Sequence, residues 1–206
     1  MNIEKIGKRK AQAVETKNKI YESAEQLFRK YGFDQVSVDS IVERAGVSKG
    51  SFYVHFKSKD ALILTLMGDY VGKVDLEYRT YLESLPAGTK ASDILFSLAE
   101  KIVDVITDTI GYDVIKIIYG FQITQTVNTD TILGYNRDLY KIFQNIISQG
   151  IQQKEFKPEV NINIIAQHFV MAIRGLTYEW CIRSPDFDLK DYVRQHFEIL
   201  LNGIRN

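Results

Sequence analysis

One cysteine, three prolines and one tryptophan among 206 residues set the first limits. A lone Cys181 excludes an intramolecular disulfide framework and agrees with a reducing cytoplasm. Pro86, Pro158 and Pro185 each fall in a stretch that reads as a loop, so long windows stay open to helix. No apolar run approaches the ~18 residues of a membrane span, and the polar N-terminus is not a signal peptide. Gly-rich phosphate loops, CxxC, HExxH and G-x-S-x-G are all missing. His55, His168 and His196 are scattered, with no neighbouring Ser or Cys to form a nucleophile pair in sequence. These absences argue against an enzyme and call for no cofactor and no metal.

The zero net charge hides an asymmetry. Residues 1–60 carry 12 basic and 8 acidic side chains, whereas residues 61–206 carry 14 and 18. A modest positive surplus in the first third suits a module that faces phosphates. The apolar fraction of 45% is enough for a substantial core.

The run from Ser37 to Phe56, SVDSIVERAGVSKGSFYVHF, reads as two short helices joined by a tight turn. Ser37 is a good N-cap, and Asp39 places a carboxylate where the helix dipole favours it. Val38, Ile41, Val42 and Ala45 share one face. Gly46 stands where a left-handed C′ residue is wanted, and Val47 plugs the corner. Ser48 caps the next helix, Lys49 to about His55, with Phe52 and Phe56 as anchors. Lys49, Gly50, Ser51, Tyr53, Val54 and His55 are left for its open end and outer face. A helix N-terminus offers free N–H groups and partial positive charge to a phosphate. Gly50 lets the backbone approach a groove wall, and Ser51, Tyr53, His55 and Lys57 offer donors to phosphates or base edges.

Residues Thr16 to about Val74 resemble the N-terminal DNA-binding domain of the TetR family of bacterial transcriptional regulators. The resemblance rests on TKNKIYESAEQLFRKYGFDQVSVDSIVERAGVSKGSFYVHFKSKDALI, and within it on G-V-S-K-G-S-F-Y-x-H-F-K-S-K. It implies that Lys49 to His55 form the recognition helix and that Ser37, Tyr53 and Lys57 touch the phosphate backbone. The expected DNA contacts are therefore Ser37, Ser48, Lys49, Gly50, Ser51, Tyr53, His55 and Lys57. Beyond the first 75 residues the resemblance is architectural.

The expected fold is all-α. A basic flexible arm (1–15) precedes a three-helix DNA-binding domain (16–60, with its helix-turn-helix at 37–56). A helical effector-binding and dimerisation domain (61–206) follows. The arm is either a frayed tail or a strap for phosphates and the minor groove. Helix 1 is expected from Lys17 to Tyr31 with Thr16 as cap, and Ile20, Ala24, Leu27, Phe28 and Tyr31 as its buried stripe. The fourth helix begins after Ser58, continues to about Leu85, and leaves the head as a lever. Further helices are expected over Ala91–Thr109, Tyr112–Thr126, Asp130–Lys154, Asn161–Arg183 and Asp188–Ile204. Val114 to Ile123 also has strand propensity, which length and helical neighbours outweigh.

Phe96, Tyr119, Phe121, Tyr135, Tyr140, Phe143, His168 and Met171 are candidates to line a pocket for an apolar or aromatic small molecule. Ordinary core packing accounts for each one singly. The last two helices carry Phe169, Ala172, Ile173, Leu176, Trp180, Phe197, Leu200 and Leu201, expected to pair two copies in a four-helix bundle. Glu100, Asp104 and Asp108 line up one turn apart, as a solvated face or a cation site. Cys181 beside Trp180 is inert or a redox switch. A homodimer matters because two recognition helices ~34–36 Å apart read a palindromic operator in double-stranded DNA. The expected function is a cytoplasmic regulator that represses until a ligand changes that spacing. A helical DNA-binding protein with no effector is the alternative.

Overall fold

The computed structural model describes residues 3–125, 128–183 and 186–206. Two compact units divide at Tyr70 and Val71. The first holds α1 (Ile3–Tyr31), α2 (Val38–Ala45), α3 (Lys49–His55) and the start of α4 (Lys59–Glu83). The expected boundary at residue 60 moves forward because Leu62 and Leu66 of α4 are buried with Ile20, Ala24, Leu27, Ile41, Phe52 and Phe56. The division thus falls inside α4.

Local rules build this head. Ser37 and Ser40 cap α2 reciprocally: the Ser40 N–H donates to Ser37 Oγ and the Ser37 N–H to Ser40 Oγ, both at 3.1 Å. Gly46 ends α2 at φ 65°, the left-handed region where a Cβ is costly. Lys59 was not foreseen as a structural residue. Its ammonium donates to the Phe33 and Val36 carbonyls, both at 2.9 Å, and lies 4.0 Å from the Phe33 ring centroid. Those bonds tie the start of α4 to the loop before α2.

Two expectations for α1 are corrected. Residues 3–15 are a helical extension of α1, and Thr16 is no cap: its hydroxyl donates back to the Gln12 carbonyl at 2.8 Å. The stretch lacks proline and is rich in good helix formers, so propensity and a Glu15–Lys19 pair carry it. Every residue from Gly7 to Glu15 is exposed, so no apolar stripe announced it. Tyr31 is exposed rather than buried, with the Lys30 ammonium over its ring.

The second unit contains the rest of α4, α5 (Ala91–Asp104), a π-helical turn (Val105–Ile110) and α6 (Tyr112–Thr124). It continues with α7 (Asp130–Leu133), α8 (Asp138–Gln152), α9 (Ile162–Ile182) and α10 (Leu189–Ile204). The strand-prone window from Val114 to Ile123 is helical. Thr126 and Pro185, expected near helix ends, lie outside the described residues. The single helix expected over Asp130–Lys154 is broken between Leu133 and Asp138. There the Gly134 N–H donates to the Asp130 carbonyl at 2.7 Å, and a Cβ at Gly134 would sit 2.5 Å from that oxygen. Only glycine fits this turn, and it forces a new start at α8.

α8 packs on α9 and α5, and α10 packs on α5 and α9. Phe143, Phe169 and Phe197, one from each of α8, α9 and α10, meet at the centre with no exposed surface. The α5 N-terminus has no cap from Lys90. Instead Gln153 Oε1 accepts the Ala91 N–H at 3.1 Å, and the Glu155 carboxylate accepts both the N–H and hydroxyl of Ser92. A carboxylate at a helix N-terminus is electrostatically favourable. Replacing Phe52 with Ala is expected to cost about 3–5 kcal/mol through lost burial and the cavity left behind. Urea unfolding followed by circular dichroism measures it, and a loss under ~1 kcal/mol would mean that the head repacks around the gap.

Candidate functional site

In the head, α3 is held by its inner side and open on its outer one. Phe52 is fully buried and Phe56 nearly so, their rings 5.9 Å apart. Tyr53 is 52% exposed and Val54 79% exposed. Ser37, Ser48, Lys49, Gly50 and Lys57 are exposed, and Ser51 and His55 are half-buried. All eight expected DNA contacts thus lie on one compact head with at least part of each surface available. Ser48 Oγ accepts the Ser51 N–H at 3.1 Å, so both serines already support the cap. The amides of Lys49 and Gly50 have no acceptor within the helix.

Lys49 is not free in the isolated head. Its ammonium pairs with Asp39 of α2 at 2.8 Å, and the hydrogen bond to that carboxylate raises its pKa. Both side chains are more than half exposed, so the pair is weak and open to exchange for a phosphate. Gly50 has a different lesson. A Cβ there would meet nothing nearer than Ser48 Oγ at 3.7 Å. The fold of the head therefore has no need of glycine at this position, whereas a closely docked groove wall would.

The expected pocket residues separate. Tyr119, Tyr135 and Tyr140 gather around Arg174: the Tyr119 hydroxyl donates to the Arg174 carbonyl at 2.8 Å, and the Arg174 guanidinium lies 5.6 Å from the Tyr140 ring centroid. The Tyr135 ring sits 5.3 Å from that of Tyr140. Tyr140 is 2% exposed, and its hydroxyl has no hydrogen-bond partner among the described residues. An unsatisfied buried hydroxyl costs about 1–3 kcal/mol. Burial raises the Tyr140 pKa against the opposing pull of Arg174, and burial lowers that of Arg174. Beside this cluster Arg137 clamps Asp75 of α4 through Nε at 2.9 Å and Nη2 at 2.6 Å. Those side chains are only 14% and 7% exposed.

The other expected pocket residues lie elsewhere. Phe143 is locked in the α8–α9–α10 core, and Phe96 is half-buried under Arg194 of α10. Phe121 is half-buried on α6. His168 and Met171 are exposed on the outer side of α9, so they are removed from the pocket set. The arginines and Asp75 were missed because nothing in their spacing marks a buried charge.

The expected dimer face is also corrected. Phe169, Ala172, Ile173, Trp180, Phe197 and Leu201 are buried within the single chain, and Leu176 and Leu200 are half-buried. Both helices have two apolar sides, and periodicity does not say which turns inward. The outward side of α9 carries Ile164, His168, Met171, Gly175, Tyr178 and Ile182, spaced by four and three residues in turn. That of α10 carries Tyr192, His196, Ile199 and Gly203 in the same rhythm.

Two other candidates resolve. Glu100 and Asp104 pair with Arg194 and Lys190 of α10, so this ladder is an ion-paired face. Among the described residues no cluster of metal ligands occurs. Cys181 is buried, burial pushes its thiol up to about 11, and a protonated thiol is a poor nucleophile. No described helix is long and apolar enough to cross a membrane.

A capped three-helix head with an exposed recognition helix, joined by α4 to a helical second unit, defines a DNA-binding regulator. Residues 20–66 match the family described as bacterial regulatory proteins, tetR family, and residues 99–186 match the tetracyclin repressor-like C-terminal domain. The chain belongs to the TetR family of transcriptional regulators. It is 22% identical over 195 residues to the fatty acid metabolism regulator protein of Bacillus subtilis (strain 168), covering 91% of this chain and 94% of that one. The fold is shared with Thermus thermophilus FadR, a TetR-family repressor solved with lauroyl-CoA. Its TM-score is 0.71 at 18% identity, over 91% of this chain and 94% of that one. It is shared too with Bacillus subtilis FadR solved with stearoyl-CoA. There the TM-score is 0.66 at 20% identity, over 91% and 98% of the two chains.

Gly50→Ala separates fold from recognition. The variant is expected to be as stable as the parent or slightly more so, because Ala is the better helix residue. Its operator affinity is expected to fall about tenfold or more. An unchanged affinity by fluorescence anisotropy would show that no groove wall comes close to Gly50.

Proposed function

We propose that this chain is a homodimeric repressor that occupies a palindromic operator and leaves it when a small molecule binds residues 71–206. The observation that carries the DNA half is the outer side of α3, where Lys49, Gly50, Tyr53 and Val54 are exposed around a Ser48-capped end. Phosphates compete with Asp39 for Lys49, and Tyr53, Ser37 and Lys57 flank the same approach. Val54 offers methyl groups, which suit a thymine methyl in the major groove.

The outward stripes of α9 and α10 are the pairing faces in this reading. Apolar and small residues alternate there with His168 and His196, and contiguous exposed apolar stripes mark contact surfaces. Two heads on one dimer bind far more tightly than one, provided their spacing matches a DNA turn. The effector acts by binding better when that spacing is wrong. α4 transmits the change because it is one continuous helix from the head into the second unit, where Asp75 fastens it to Arg137. The lauroyl-CoA and stearoyl-CoA carried by the two neighbours support an effector with a long apolar part. The activity is binding without turnover, in the cytoplasm.

The test is operator selection from random duplexes, followed by salt titration of the selected sequence. Binding should weaken steeply with salt, with a slope of about −0.9 per phosphate neutralised. Failure to select a palindrome would sink the reading. Met171→Glu should place charge in the pairing face and shift sedimentation from dimer to monomer, and an unaffected dimer would place the interface elsewhere. Asp75→Asn leaves Arg137 with an uncompensated buried charge. It is expected to cost about 3–5 kcal/mol and to weaken effector control of operator binding. Unaltered control would show that α4 is not fastened there.

A further inference from the structure

We propose that residues 7–15, the exposed extension of α1, are a second DNA-binding element whose Arg9–Lys10 side lies along the phosphates flanking the bases read by α3. The inference deepens the DNA half of the proposed function, and it rests on that reading for the place of α3 on the duplex.

The extension has no part in holding the head together. On α1 the buried core begins at Ile20, and every residue from Gly7 to Glu15 is exposed. Helices in proteins draw most of their stability from packing one apolar side, and this stretch packs none. Its place in the head is fixed from Lys17 onward. The Lys17 ammonium stands 5.9 Å from the centroid of the Phe56 ring, and Phe56 ends α3. This side of α1 therefore adjoins the end of the recognition helix, next to Lys57. Lys10 falls two turns earlier on the same side, ~10 Å further out along the helix, with Arg9 beside it.

The charges of the extension are sorted between its sides. Glu15 is the one acidic residue between positions 7 and 15. It lies opposite Lys10, where it pairs with Lys19, and Lys8 falls on that far side too. Arg9 and Lys10 are exposed, and neither has an ion-pair partner among the described residues. An α-helix with its side chains is ~10–12 Å across, whereas the minor groove is ~6 Å wide, so the extension does not enter that groove. The major groove is taken by α3 in this reading, which leaves the phosphate ridge. Nine helical residues rise ~13 Å, about four base pairs at ~3.4 Å each. Phosphate contacts add affinity and fix register without reading sequence. The extension thus lengthens the footprint of each head and leaves the sequence preference to α3.

The experiment compares the full chain with Arg9→Gln/Lys10→Gln and with Lys8→Gln. Gln is close to Arg and Lys in helix propensity, and circular dichroism should show the helix retained. The probes are the selected operator cut to its core, the same core with about four base pairs added at each end in two unrelated sequences, and a random duplex of the longer length. Anisotropy titrations are run at several salt concentrations. The parent should gain about tenfold or more in affinity from the added ends, whatever their sequence. The double variant should lose that gain, and its salt slope should be shallower by about 3.6, from four phosphate contacts per dimer at ~0.9 each. Lys8→Gln should keep both the gain and the slope. An unchanged slope in the double variant, or an equal fall in Lys8→Gln, would overturn the assignment. So would a gain confined to A·T-rich ends, which marks minor-groove reading. The random duplex tests the extension even where no operator emerges, because the double variant should show the shallower slope there as well. Core binding with no gain from the ends sinks the extension and keeps the reading of α3. A slope that falls in the double variant with no palindrome preferred does the reverse.

Discussion

Seven residues of helix do not persist in water alone, because nucleation costs more than so few hydrogen bonds return. α3 therefore exists only through what it is packed against. Phe52 enters the centre of the head, Phe56 closes beneath it, and Ser48 satisfies the first turn. This burial decides everything about the outer side. With Phe52 and the flanking Phe56 spent on anchoring and Ser48 on capping, Gly50 and Val54 are left open, and Lys49 and Tyr53 are held only by an exposed pair with Asp39 and an edge contact with Phe52. A DNA-reading surface is what remains of a short helix after its support has been subtracted.

The same economy explains the loops around it. Lys59 reaches back to two carbonyls of the Phe33–Val36 segment, so a buried-side cation replaces the hydrogen bonds that a longer helix would supply. Asp39 holds Lys49 only loosely, since both are open to water. The charge that meets phosphate is thus kept in place without being committed.

The head was legible in the sequence because each of its signals is local. A cap, a left-handed glycine and two aromatic anchors four apart fall within twenty residues, and the observed bounds of α2 and α3 follow them. The second unit was legible as helix and much less so in its faces. Phe169 and Met171 are two residues apart on an apolar helix, and only tertiary packing sends the first inward and the second out. The break at Gly134 was hidden by the apolar pattern on either side, which continues in helical register across the turn. Residues 3–15 escaped for the opposite reason: a helix that is polar on all sides has propensity but no pattern. The cluster around Tyr140 was half visible. The tyrosines stood out as aromatics, but Arg174 and Arg137 look like surface residues until the fold buries them.

That last point bears on how regulation is wired. A half-buried arginine against a tyrosine and an arginine clamped to Asp75 both carry a desolvation cost, and neither arrangement is needed to fill a core, where apolar residues of similar volume serve at least as well. Asp75 lies on the one helix that continues into the head, five residues beyond the division inside α4. A buried ion pair is sensitive to any charge brought near it, because little solvent screens the interaction. Placing such a pair on α4 makes the position of that helix responsive to electrostatics. A purely apolar contact at the same place would hold α4 as firmly and would answer to nothing but shape.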